Sequence, residues 1–166
     1  MTENVVRRIV VVDFEASSLP GPGSYPIEVA AGIPETGEIR SWLIRPEPVW
    51  LESWVWDPES ERIHRLTREH LLAHGLPRAQ VARELEAFIG GREVVSDNPR
   101  AEGYWLGVLF GEQRPRSVGW LSLLYEAIMA GTKAGHQAYS RTLTIYCSPE
   151  YRASFEGPDG RQRSLA

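Results

Sequence analysis

Cysteine is almost missing from this sequence: Cys147 is the one cysteine in 166 residues, so an internal disulfide and a zinc centre built from several thiolates are both excluded. A lone thiol reads as a small buried hydrophobe, and a chain without disulfides suits a reducing compartment, so a cytoplasmic location is the expectation. Long apolar runs are missing near the N terminus as well. The run Ile9, Val10, Val11, Val12 stops at Asp13, too short for the core of a signal peptide or for a membrane span, which predicts a soluble chain with no membrane partner. An excess of either charge is also missing. With 22 acids against 18 bases the net charge is −4, so a nucleic-acid partner would have to be recognised through a local patch or a bound metal. Glycine-rich phosphate cradles of the G-x-x-x-x-G-K or G-x-G-x-x-G type do not occur, and nucleotide cofactors are not indicated.

What is present is an ordinary globular composition, 42% hydrophobic and 24% charged, with six tryptophans. No repeat, low-complexity segment or linker interrupts it, so residues 1–166 are expected to form a single domain. Residues 5–14 are rich in β-branched side chains and read as a central strand buried on both faces. Residues 27–33 and 39–44 are two further strands joined by a turn at Gly37, making a three-strand meander. Residues 45–58, rich in proline and tryptophan, show no period and read as an ordered loop. Helices are expected at 59–66, 78–89, 102–110, 120–129 and 136–146, with a short strand at 93–96. Val81, Leu85 and Phe88 recur at helical spacing in the second of these helices, and Gly90-Gly91 stops it. Three strands followed by mixed helix and strand define one α/β domain.

Against this background the stretch V-V-V-D-F-E stands out. Side chains alternate across a strand, so Asp13 and Glu15 share a face at the strand's end. Neighbouring carboxylates repel, and a protein tolerates them where they share a proton, pair with bases or hold a cation. Hard oxygen ligands completed by phosphate and water are what Mg2+ or Mn2+ prefers, so the pair points to phosphodiester chemistry.

The surrounding motifs resemble those of the DEDD superfamily of 3′-5′ exonucleases, in the branch whose last motif carries a histidine. Asp13-Phe14-Glu15-Ala16-Ser17-Ser18-Leu19 looks like the first motif, and Tyr25-Pro26-Ile27-Glu28-Val29-Ala30-Ala31 like the second strand with its Ile-Glu pair. Ile63-His64-Arg65-Leu66-Thr67 resembles the family's I-H-G-I-T, with Arg65 in place of the glycine. The stretch from Val95 to Leu106 is similar to the second catalytic motif, which puts Glu102 where the family has Asp and leaves Asp97 as a supporting acid. The final motif, H-x-A-x-x-D, is matched by His136-Gln137-Ala138-Tyr139-Ser140-Arg141, which keeps the histidine and places arginine at the last ligand.

The resemblance runs from Val10 to about Tyr146. It implies a ribonuclease H-like mixed sheet flanked by helices, with Asp13, Glu15 and Glu102 holding Mg2+ or Mn2+ and His136 activating water. It also implies a single-stranded or 3′-overhanging RNA or DNA partner. Arg141 opens a second account: a guanidinium matches carboxylates bidentately and would neutralise Asp13, Glu15 and Glu102 in place of one metal ion. On that account the chain is a catalytically inactive relative that binds nucleic acid or protein.

Other side chains have blander readings. His70 and His74, four apart, share a helix face as zinc ligands would, but Leu71 stands where a metalloprotease glutamate would be, and a polar helix edge is expected. Trp50, Trp54 and Trp56 are expected to cover the core or to meet a second copy in a homodimer, rather than to stack bases, because Glu52 and Asp57 lie among them and no base does. Arg62, Arg65 and Arg68 read as a solvated stripe, His64 as local structure, and Ser17 and Ser18 as turn residues rather than nucleophiles.

Overall fold

The β-branched run that leads the sequence becomes the axis of the sheet. A computed structural model describes residues 8–33, 36–112, 114 and 116–120. Strand β1 spans Ile9–Ala16, and Ile9 to Val12 are all buried, as a strand covered on both faces requires. It continues through Glu15, past the expected boundary at Phe14. Strand β2 (Pro26–Ile33) lies antiparallel to it, with Asp13 opposite Ala30 and Glu15 opposite Glu28. Strand β3 (Glu38–Arg45) completes the meander through a turn in which Gly37 takes φ 74°, a conformation that glycine adopts without steric cost.

Residues 45–58 do not form the loop expected from their lack of period: they contain helix α1 (Pro48–Ser53). Six residues are too few to show a 3.6-residue repeat, and Pro48, with its fixed φ, starts the first turn. Trp50 is buried and stacks on Tyr25 with ring centroids 5.1 Å apart, while Trp54 and Trp56 pack around the same tyrosine at 6.4 and 6.2 Å. The tryptophans cover the core, as expected.

Helices α2 (Pro58–His64) and α3 (Arg68–His74) follow, capped by the Asp57 and Thr67 side chains, which accept from the N–H groups of Glu59 and His70. Buried His64 accepts the N–H of Leu66 through Nδ1 at 3.0 Å, a local structural role. After the two-residue strand β4 (Leu76–Pro77), helix α4 (Arg78–Ile89) sends Val81, Leu85 and Phe88 into the core. Each contributes about 1.5–3 kcal/mol by leaving water. Gly90 ends the helix in the left-handed region at φ 55°.

The α1–α4 crossover returns the chain as β5 (Glu93–Ser96), parallel to β1 with Val11 beside Val95. Helix α5 (Pro99–Phe110) starts three residues before the expected Glu102, because Pro99 fits its first turn. Trp120, expected to open a helix, instead closes strand β6 (Gly119–Trp120), since β5 offers a free edge where Val95 pairs with Gly119 and Ser96 with Trp120. The strand order is β4-β3-β2-β1-β5-β6. The rest of the expected helix at 120–129 and the expected helix at 136–146, and with them His136, Arg141 and Cys147, lie outside the described residues.

Arg65 is the non-glycine residue of the described chain with positive φ, at 59°, where it caps α2. This is the position at which the related motif has glycine, and a side chain there carries a steric cost of about 1–2 kcal/mol. Arg65→Gly is therefore expected to raise unfolding stability by about 0.5–1 kcal/mol after the added freedom of the unfolded chain is subtracted. A chemical-denaturation midpoint that is unchanged or lowered contradicts this.

Candidate active site

The acids of β1 occupy the face opposite Val10, Val12, Phe14 and Ala16, which enter the core. Asp13 and Glu15 are half-buried there. Directly across from Glu15 on β2 stands Glu28, 4% exposed, so that a third carboxylate shares this face. On the other edge of β1, β5 is paired only as far as Val11, and past that point the end of β1 is open.

Glu102 fills the opening. From the first turn of α5 it reaches back to β1, where its carboxylate accepts the backbone N–H of Phe14, and it is 3% exposed. Its Oε2 atom is buried and has no hydrogen-bond partner among the described residues. Burial pushes this carboxyl well above the ordinary carboxylate range, and the charges of Asp13, Asp97 and Glu15 push it further the same way against the Phe14 hydrogen bond. Asp97, exposed in the short turn between β5 and α5, takes part through its charge. Asp13, Glu15 and Glu102, up to 89 residues apart in sequence, thus lie near one strand end.

Oxygen donors, one of them orphaned in a dry setting, match a hard divalent cation in kind. Among the described residues, however, no three Asp, Glu, His or Cys side chains form a closed metal-holding group. The His70 and His74 rings do share one face of α3, 4.6 Å apart, as expected of neighbours four apart on a helix.

The loop between β1 and β2 is fastened to the same helix that carries Glu102. The Trp105 indole N–H donates to Ser24 Oγ at 2.9 Å, Tyr104 donates to the Gly21 carbonyl, and Ser24 Oγ donates to the Ser18 carbonyl at 2.9 Å. Ser17 is buried, and its Oγ accepts the Tyr25 N–H at 3.1 Å, a turn function rather than a nucleophile's. From the far side Val55 and Asp57 donate their N–H groups to the Gly23 and Ser17 carbonyls at 2.8 Å.

No family description matches the sequence, and no curated protein sequence is similar to it. Solved structures are similar. A product-bound exonuclease I has a TM-score of 0.57 at 16% identity, over 75% of this chain and 32% of that one. Escherichia coli exonuclease I in complex with a dT13 oligonucleotide has a TM-score of 0.56 at 15% identity, over 77% and 30%. The zinc-bound E. coli exonuclease I complex with single-stranded DNA has 0.57 at 16%, over 75% and 30%. The expected fold class is correct: the described residues form a six-stranded mixed sheet flanked by helices, with the ribonuclease H-like fold of exonuclease I. The chain spans about a third of the length of those exonuclease I chains.

Sequence reasoning missed Glu28 as a member of the acidic face. The signal was available: an acid inside the apolar run Ile27-Glu28-Val29, on a strand antiparallel to D-x-E. Only the register places it opposite Glu15.

Because the Glu102 carboxyl titrates higher folded than unfolded, its protonated form favours folding. That contribution is complete below its ordinary value of 4.5 and is lost as pH rises through the raised folded value. In chelator the melting temperature should therefore fall as pH climbs from about 4.5 toward neutrality, and Glu102→Gln should remove much of the fall and melt a few degrees higher at neutral pH. A Glu102→Gln profile that parallels the wild type excludes this assignment.

Proposed function

We propose that this chain is a metal-dependent 3′-5′ exonuclease of the histidine-containing DEDD branch, removing nucleotides from the 3′ end of single-stranded DNA or of RNA. Asp13, Glu15 and Glu102 hold Mg2+ or Mn2+, and His136 takes a proton from the attacking water. The observation that carries this reading is Glu102: a buried carboxylate with an oxygen that no described residue partners, pinned to the end of β1 and facing the field of Asp13, Asp97 and Glu15. An arrangement so unfavourable for an empty protein becomes favourable around a cation. The neighbouring exonuclease I structures, which hold product, an oligonucleotide or single-stranded DNA, support the choice of substrate.

A bound divalent ion supplies charge stabilisation to the attacking and leaving oxygens. The chain's own contribution is placement. The Phe14 N–H orients the Glu102 carboxylate, and α5 carries Tyr104 and Trp105 to hold the loop that follows Glu15. Hydrolysis of a 3′-labelled single strand should stop in chelator and drop at least about 100-fold in Asp13→Ala, a larger loss than second-sphere changes give. Activity that survives both is another enzyme's.

The inactive alternative draws on the two departures from the motif, Glu102 for Asp and Arg141 for Asp. If Arg141 supplies the positive charge, Arg141→Asp should tighten Mn2+ binding in calorimetry. An unchanged titration removes Arg141 from the acidic cluster.

A further inference from the structure

We propose that Asp97 is the fourth carboxylate of the metal site, supplied from the end of β5 in a sequence that Arg141 leaves one acid short. This rests on the exonuclease reading above and extends its ligand set. The position follows from the strand register. Strands β1 and β5 are parallel, with Val11 beside Val95. Two residues further on, β1 reaches Asp13 and the line of β5 reaches Asp97, so the two acids stand level and on the same side of the sheet. Pairing has ended by then, and the gap between the two segments is the opening that Glu102 fills. Asp13 forms one lip of that opening and Asp97 the other.

The backbone around Asp97 is anchored while its side chain is exposed. The Asn98 N–H donates to Ser96 Oγ at 2.9 Å, the Glu102 N–H donates to the Asn98 carbonyl at 3.1 Å, and Pro99 sets the first turn of α5. The turn therefore ties Asp97 to the helical turn that carries Glu102. Electrostatics agree with the register. After burial, the charges that push the Glu102 carboxyl upward act in the order Asp13, Asp97, Glu15, so Asp97 acts on it more strongly than an acid already assigned to the metal. What separates a ligand site from a merely acidic surface is Glu102 itself, 3% exposed, with an Oε2 that no described residue partners. Among the described residues no three such side chains are preassembled as a cage. Of the four acids Asp97 is the exposed one, whose carboxylate can turn onto an arriving hard cation from the solvent side.

The test is calorimetric Mn2+ binding to the full chain without nucleic acid, in wild type, Asp97→Asn, Asp97→Glu and Glu52→Gln, the last removing an exposed acid of α1. Asp97→Asn should weaken Mn2+ binding at least about 10-fold, the loss that even outer-sphere changes bring. Asp97→Glu, which keeps a carboxylate, should lose less, and Glu52→Gln should bind as the wild type does. The loss should persist when KCl is raised from about 0.1 M to about 1 M, where the Debye length shrinks from ~10 Å to ~3 Å. In chelator Asp97→Asn should melt no lower than wild type, since a like charge beside Glu102 is gone. An Mn2+ affinity of Asp97→Asn within twofold of wild type overturns the proposal, as does an equal loss in Glu52→Gln. So does a loss that vanishes at high salt, because Asp97 then acts as a nearby charge and not as a ligand. The two readings fail separately. Mn2+ binding that needs Asp13 and not Asp97 removes the fourth ligand and leaves the exonuclease. Binding that needs Asp97 in a chain that cleaves no single strand keeps the site and removes the exonuclease, and a wild type that binds no Mn2+ overturns both.

Discussion

The hydrogen bond between the Phe14 N–H and the Glu102 carboxylate is the contact around which the site is organised. It joins an edge of the central strand, where β5 no longer pairs, to a helix that begins 85 residues later in the chain at Pro99. It also satisfies a backbone donor that would otherwise be left at an open strand end. The cost is a second carboxylate oxygen buried without a partner among the described residues, and like charges close by. A fold selected for stability alone has no use for such a feature, and strain of this kind concentrates where ligands bind.

The rest of the architecture serves that junction. The three antiparallel strands make a rigid floor on which Asp13, Glu15 and Glu28 share a face, while the α1–α4 crossover brings β5 back beside β1 so that α5 springs from the correct rim. The Tyr25 cluster with Trp50, Trp54 and Trp56 closes the core under the loop that follows the acids. Similarity to exonuclease I at 14–17% identity is a likeness of fold, and the chemistry rests on what the acids of this chain do.

Much of the fold was legible because its signals are local. The run of valines before Asp13, the spacing of Val81, Leu85 and Phe88, and the Gly90-Gly91 stop each act within a dozen residues, and β2, β3, β5 and α4 lie where those signals put them. What was illegible depends on partners distant in sequence. Helix α1 is too short for a period and is held by Trp50 against Tyr25, and Trp120 is a strand residue because β5 offers it an edge. The site divides the same way. The spacing of Asp13 and Glu15 reveals their common face, but the place of Glu28 opposite Glu15 and the burial of Glu102 come from register and packing. Even the departure at Arg65 acquired its meaning from geometry, as a glycine position filled by a side chain in the left-handed region.

The tethers from Tyr104 and Trp105 to the loop at Gly21 and Ser24 bridge 83 and 81 residues of sequence. Contacts of such range close large loops, and the entropy that closure costs is offset only when the sheet between them is in place. The acidic site is accordingly a product of the finished fold: no early hairpin or isolated helix holds it, and a nascent chain released before α5 has docked carries the acids of β1 without their counterpart. Local opening at this junction separates the two halves of the site at once, so its integrity follows the cooperative stability of the whole domain and not that of any single element.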